Sequence, residues 1–265
     1  MEHFWIVDPA DVEEAPAYPA PTCEVKGVSN GRYANPEGFP LWFVVGEIEA
    51  GGEIAWGSLH GDEILYVTDG QLEIDGSICE TGGVAIVEAN VVATARAVRQ
   101  TALVHFGPVD PEQPVDGPLG PPSSENHGVH VHDEHGISET DGGDAGHNVF
   151  YADSDCPTCR LTLLRNAAGP DTKTPSHTHS TDEMIYLLSG DIQFGSKSVE
   201  PGMGLAIVGN YRYAFRSNGG CEFLNYRRDA SLYTTDPKGP KLLETIQGVR
   251  DFMESHSTVF ANRVD

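Results

Sequence analysis

The sequence predicts an all-β protein made of two tandem antiparallel β-barrels with a C-terminal helix. Three observations carry this. Turn formers are dense, with 30 Gly and 18 Pro, and short runs rich in Val, Ile, Leu, Tyr and Phe lie between them. One stretch of the first half recurs in the second at constant spacing. Helical periodicity is confined to the region near the end.

In chain order, residues 1–21 form an N-terminal arm and residues 22–108 the first barrel, with strands expected at Leu41–Ile48, Glu63–Val67 and Val84–Val87. Residues 109–147 read as an acidic linker rich in Pro, Gly and His, almost without aromatic or β-branched residues. Residues 148–235 form the second barrel, with strands expected at Arg160–Arg165, Met184–Leu188 and Leu205–Val208. In the tail, 236–265, the residues Leu242, Leu243, Ile246, Val249, Phe252 and Met253 recur at helical spacing from Lys241 to Ser255. This predicts a terminal helix whose apolar face packs on a barrel; a partner-binding helix is the lesser reading.

The repeat is specific. Asp62-Glu63-Ile64-Leu65-Tyr66-Val67 is followed by Gly70, and Asp182-Glu183-Met184-Ile185-Tyr186-Leu187 by Gly190, so both the glutamates and the glycines lie 120 positions apart. Further on, Glu80-Thr81-Gly82-Gly83-Val84-Ala85-Ile86-Val87 mirrors Glu200-Pro201-Gly202-Met203-Gly204-Leu205-Ala206-Ile207-Val208 when one residue is deleted. The chain reads as a duplicated β-domain.

Composition narrows the function. Lys and Arg total 16 against 40 Asp and Glu, a formal charge of −24. Binding to nucleic acid or to anionic lipid needs basic surface, so both are disfavoured. No apolar run reaches the roughly 18 residues of a spanning helix, and Met1-Glu2-His3-Phe4-Trp5 does not begin like a signal peptide. The expectation is a soluble, cytoplasmic protein, with five scattered cysteines present as reduced thiols.

The motif that carries chemistry is Pro175-Ser176-His177-Thr178-His179-Ser180-Thr181-Asp182-Glu183, followed by Gly190. Residues 177, 179 and 183 share parity, so on extended backbone two imidazoles and a carboxylate face one side. Such a set with open positions suits non-haem iron, and also Mn, Ni or Zn. From composition, His-x-His-x3-Glu-x6-Gly arises by chance at roughly 1 in 100,000 positions.

This pattern, followed by a Pro-Gly turn and an apolar strand, resembles the cupin superfamily. The resemblance covers both repeats, about Cys23–Gly107 and Asn148–Arg228, so the chain looks like a bicupin. It implies two jelly-roll barrels, each with a potential metal site inside. His177, His179 and Glu183 match the first cupin motif. Where the second motif usually has a further His, this chain has Tyr213. Three roles stay open for it: a phenolate ligand favouring Fe(III), a neutral acid or hydrogen-bond donor beside the metal, or a space-filler. The first repeat keeps only Glu63. It has Gly57 and Leu59 at the histidine positions and Val92 opposite Tyr213, while His60 is one residue out of register. That barrel reads as metal-free.

Other features are weighed against plainer readings. His127, His130, His132 and His135 with Cys156-x-x-Cys159 suggest zinc, but one Cys pair is a weak signal. The His spacing matches no common zinc module, and histidines in an acidic, Gly-rich linker are expected to be solvated. A redox Cys pair is weaker still, since it leads into a strand. Arg160 or Arg165 could clamp a substrate carboxylate, or simply lie exposed on an edge strand. Arg212, beside Tyr213, points away from it. Ile185, Leu187 and Phe215 would line an apolar pocket with Tyr213, and Tyr186 would face outward or towards the other barrel.

The resulting expectation is a metal-dependent bicupin acting on a small molecule, with one transition-metal ion, Fe first, in the second barrel. His177, His179 and Glu183 hold it, with Tyr213 as ligand or catalytic acid, and Arg160, Ile185 and Phe215 bind substrate. A dioxygenase-type oxidation comes first, and a non-redox isomerase, lyase or decarboxylase second. A non-catalytic binding or sensor protein is the competing class. A homodimer is the favoured assembly.

Overall fold

The computed structural model describes residues 3–15, 17–117, 119–141, 146–152, 156–231 and 233–235. The expected C-terminal helix lies outside them. The described residues form antiparallel β-structure throughout, arranged as two barrels. No helix among them is long and apolar enough to cross a membrane.

In the first barrel, a six-stranded sheet runs in the order Val129–His132, Val84–Val87, Glu63–Asp69, Thr101–Pro108, Leu41–Ile48, Ser29–Ala34. It closes over a five-stranded sheet ordered Cys23–Lys26, Glu53–Trp56, Ala93–Ala97, Gln71–Ile74, Ser77–Glu80. In the second, seven strands run Phe4–Val7, Gly204–Ile207, Glu183–Gly190, Cys221–Arg228, Leu161–Ala168, Gly146–Phe150, Ser138–Asp141. They face a four-stranded sheet formed by Thr172–Lys173, Phe215–Ser217, Ile192–Phe194 and Lys197–Val199. A further ribbon pairs His177–His179 with Tyr233–Thr235.

Each barrel fills its interior from the inward parity of its strands. Trp42, Val44, Ile54, Leu65, Val67 and Leu72 belong to the first core, and Ile185, Leu187, Ile192, Leu205, Ile207 and Phe223 to the second. The opposite parity of the two large sheets is equally apolar and forms a third cluster, with Phe43, Ile64, Tyr66 and Phe106 against Met184, Tyr186, Leu224 and Tyr226. Phe43 meets Tyr186 edge-on at 5.6 Å, and Phe106 stacks on Tyr226 at 5.5 Å. Strands buried on both faces explain the continuous apolar runs of the sequence.

The barrels exchange edge strands. The arm strand Phe4–Val7 pairs with Gly204–Ile207 of the second barrel. The strand Val129–His132, inside the expected linker, pairs with Val84–Val87 of the first. Both additions cover an edge that would otherwise be open, so part of residues 109–147 is woven into the sheets.

The register corrects one alignment. Glu63 pairs with Val87 and Tyr66 with Val84, while Glu183 pairs with Ile207 and Tyr186 with Gly204. The 120-residue spacing therefore runs through these strands with no deletion. It continues into the next turns, where Asn90 and Asn210 adopt φ of 65° and 63°. The string Ala85-Ile86-Val87 matches Ala206-Ile207-Val208 letter for letter, which pulls a sequence alignment one step out of phase. The pleat cannot follow, because a one-residue slip turns buried side chains to the other face. The counterpart of Tyr213 is thus Ala93, and Val92 corresponds to Arg212; both of these last are exposed.

Candidate functional site

The second barrel gathers the motif residues at its centre. Glu183 opens the strand Glu183–Gly190, His177 and His179 come from the short strand His177–His179, and Tyr213 lies beside His177. His177 and Tyr213 exchange both backbone hydrogen bonds, at 2.9 and 3.0 Å, and their rings lie 4.3 Å apart. The Tyr213 hydroxyl donates to Glu183 Oε1 at 2.5 Å. Glu183 Oε2 accepts from Asn225 Nδ2 at 3.0 Å and from Arg227 Nε and Nη2 at 3.2 and 2.8 Å. Arg227 Nη2 also lies 3.2 Å from His179 Nε2. A guanidinium only donates, so Nε2 of His179 presents its lone pair to it. Asn225 and Arg227 share the inward parity of Cys221–Arg228 with Phe223.

Burial of Glu183 alone would raise its carboxyl. The interactions with His179 and then with Arg227, and the bonds from Tyr213 and Asn225, outweigh burial and hold its pKa down, to about 2. His179 is driven well below the ordinary histidine value, first by burial and then by Arg227. His177 is lowered by burial, and its Nδ1 donates to the Pro175 carbonyl at 2.8 Å, leaving the lone pair on Nε2. The centre therefore holds two neutral imidazoles, one ionised carboxylate and one guanidinium.

In chemical type this donor set fits a transition-metal ion: two imidazole nitrogens with lone pairs and a carboxylate in one barrel, His177 and Glu183 buried and His179 half-buried. The set is also already built around a cation, the Arg227 guanidinium. A metal ion and Arg227 would compete for the same lone pairs of His179 and Glu183. The phenol of Tyr213 serves here as a hydrogen-bond donor to the carboxylate.

The first barrel differs at the same centre. Glu63 Oε2 accepts from Trp56 Nε1 and meets His105 Nε2, both at 2.8 Å. Burial raises the Glu63 carboxyl, but the bonds from His105 and Trp56 outweigh it and its pKa is lowered. His105 stands 120 positions before Asn225, and each contacts the glutamate of its own barrel. His60, which the sequence placed out of register, turns its ring to the carbonyls of Gly61 and Val91 at 2.7 and 2.8 Å. Leu59 is exposed.

Ile185, Leu187, Tyr213 and Phe215 lie in one apolar cluster of the second barrel, and Tyr186 faces the other barrel. Arg160 is not brought to this centre. Its guanidinium donates to the carbonyls of Gly120, Cys159 and Pro157, and its backbone N–H to Asp62. It ties the incoming chain to the first barrel, the strand beginning one residue later at Leu161. Arg165 lies outside the second barrel's interior, reaching the Glu134 carbonyl at 2.9 Å and the Tyr66 hydroxyl at 3.5 Å. Arg212 is exposed and touches the Ser176 carbonyl.

Arg227 and Asn225 were missed in the sequence. The available signal was their shared parity with Phe223; the Arg227-Arg228 pair at a strand end hides which arginine turns inward. The linker histidines also differ from expectation. His135 is solvent-exposed beside Glu134 and Glu139, but His127 and His130 both turn to the buried carboxylate of Glu88, and His130 also to Cys156.

No family model and no curated protein sequence matches the chain. Solved structures do. The putative glyoxylate-induced protein of Pseudomonas aeruginosa aligns with a TM-score of 0.66 at 16% identity, over 86% of this chain and 90% of that one. The oxalate decarboxylase of Lactobacillus farciminis, in a formate complex, aligns at 0.64 and 11%, over 89% and 88%. Pumpkin seed globulin aligns at 0.61 and 13%, over 88% and 87%. At such identities the likeness establishes fold, and these neighbours are cupin proteins. The duplicated barrels, their exchanged edges and these alignments together give this chain the cupin fold twice over, the architecture of a bicupin.

Proposed function

We propose that the chain is a bicupin enzyme of small-molecule chemistry whose second barrel does the work, holding one transition-metal ion through His177, His179 and Glu183. The observation that supports this is the makeup of that barrel's centre. His179 and the ionised Glu183 both meet the Arg227 guanidinium with His177 beside them, while among the described residues the first barrel brings Glu63 together with His105. A bound metal would polarise a substrate oxygen or bring O2 and substrate together. The Tyr213 hydroxyl oxygen lies 2.5 Å from Glu183 Oε1 and donates its proton towards it, a group placed to act as a general acid, and Ile185 and Phe215 supply an apolar wall. Arg227 gives the pocket a fixed positive group for an anionic substrate once metal has taken its partners.

A dioxygenase-type oxidation comes first, because two imidazoles and a carboxylate with open positions suit Fe(II). A non-redox isomerase, lyase or decarboxylase comes second, and three of the structural neighbours carry the name oxalate decarboxylase. A metal-free binding barrel is favoured by one observation, the Arg227 contact with Glu183 at 2.8 Å.

Metal analysis of untagged protein beside His177→Ala and Arg227→Gln tests the reading. The expected result is one metal equivalent that His177→Ala removes and Arg227→Gln binds more tightly. Iron supports the oxidation, and zinc, nickel or manganese the non-redox chemistry. A metal content unchanged in His177→Ala overturns the site and leaves Arg227 as the resident cation.

A further inference from the structure

We infer that Glu88, His130, Cys156 and Cys159 form a second, separate metal site for a thiophilic divalent ion such as zinc, at the seam where the linker meets the first barrel. Each supplies one ligand atom, and the four atoms all lie within 4.8 Å of one another. The sequence argues against such a site, because a lone Cys-x-x-Cys is weak and histidines in an acidic, Gly-rich linker read as solvated. What it hides is the pairing of Val129–His132 with Val84–Val87, which carries His130 to the carboxylate just past the end of that neighbouring strand.

Cys156 Sγ lies 3.4 Å from Glu88 Oε1 and 3.8 Å from His130 Nε2. A tetrahedral ion with ligands at about 2.0–2.3 Å has ligand-to-ligand edges of about 3.3–3.8 Å. Those two contacts are therefore already near the spacing that a bound ion needs. The remaining close contact, between His130 Nε2 and Glu88 Oε1, is the hydrogen bond that the ion would replace.

The convergence also argues against a catalytic relay. In a Cys-His-Glu triad the carboxylate orients one ring nitrogen while the thiol meets the other. Here carboxylate and sulfur meet the same nitrogen, Nε2.

Buried acid converges on this spot. The Glu88 side chain is 1% exposed, and its Oε2 has no hydrogen-bond partner although His127 Nδ1 lies 3.3 Å away. Asp62 is a second buried acid nearby. The nearby guanidinium of Arg160 is spent on backbone carbonyls. Two thiolates select a soft or borderline ion over Mg or Ca. Such an ion would join three segments: the end of the Val84–Val87 strand, the linker strand, and the entry to the second barrel. That is the usual work of a closed structural zinc.

The site stands apart from the proposed chemistry of the second barrel, which contains no sulfur ligand, so cobalt separates the two. Protein loaded with Co(II) after chelation is expected to show a thiolate-to-cobalt charge-transfer band. Cys156→Ser and Cys159→Ser abolish it, His130→Ala weakens binding at least tenfold, and His177→Ala leaves the band intact. In a His177→Ala background, chelation should lower the melting temperature, and adding Cys156→Ser should remove that effect. Should the variants fail to fold, the wild-type spectrum alone decides. A folded wild type with no sulfur band overturns the inference, as does a band that survives replacement of both Cys156 and Cys159 by Ser, or a Cys156–Cys159 disulfide in protein purified without oxidant.

Discussion

Asp62 and Asp182, 120 positions apart, make the same backbone bond in the two barrels. Asp62 Oδ1 accepts from Ala89 N at 2.7 Å and Asp182 Oδ1 from Gly209 N at 2.8 Å. Among the described residues, only Asp62 is used again. It also accepts from Arg160 N at 2.6 Å and from Gln113, and its own carbonyl takes the Tyr226 hydroxyl at 2.9 Å. One copy of a duplicated turn has become the knot between the barrels. Asp62→Ala would strand two backbone N–H groups in a buried place, at about 1–3 kcal/mol each. Asp182→Ala strands one, at a partly exposed position. Urea denaturation should show Asp62→Ala as the more destabilising by about 2 kcal/mol; equal losses would show that the second set of bonds carries no weight.

Glu183 and Arg227 form a buried pair in the second barrel. Removing one partner leaves the other charge uncompensated, which typically costs about 3–5 kcal/mol. In metal-free protein, Glu183→Gln and Arg227→Met should each destabilise by about that amount. The double variant should cost clearly less than their sum. Strict additivity in the cycle would mean that the guanidinium does not rest on the carboxylate in solution.

The Glu63 carboxyl gives a pH signature. Its folded pKa is lowered, so its contribution is fully present above its ordinary value of 4.5 and is lost as pH falls through the folded value. The stability gap between wild type and Glu63→Gln should be constant from neutral pH down to about 5, and then shrink. The general loss of charge repulsion on acidification affects both proteins and cancels in the difference. A gap that widens in acid would reverse the sign of the argument.

The duplication was legible because its landmarks cannot be moved. Gly70 and Gly190 take φ of 105° and 80° at matching turns, and Glu63 and Glu183 sit at matching strand starts. The apolar strands between such landmarks are near-interchangeable strings, so only the pairing register shows that Tyr213 answers to Ala93. The histidines and glutamate of the second barrel were legible through parity. Arg227 was not, because its neighbour is a second arginine. Glu88 was not, because its partners arrive from 42 and 68 residues away, on a strand that the linker composition conceals.

The face between the barrels offers a packing test. A Cβ on Gly204 would lie 2.6 Å from the Phe43 ring, and Phe43 itself fills the seam against Tyr186. Gly204→Ala should therefore overpack the seam, at about 1–3 kcal/mol. Phe43→Leu alone removes ring contacts and costs stability by leaving a gap. The two changes meet at one spot, so the pair should be less damaging than their sum, since the new methyl enters the space that the ring vacates. Thermal denaturation of the four proteins checks this. Additive losses would mean that the sheets can part slightly to admit a methyl group, and that the barrels are held at their rims, by Asp62 and the exchanged edge strands, more than by the aromatic seam.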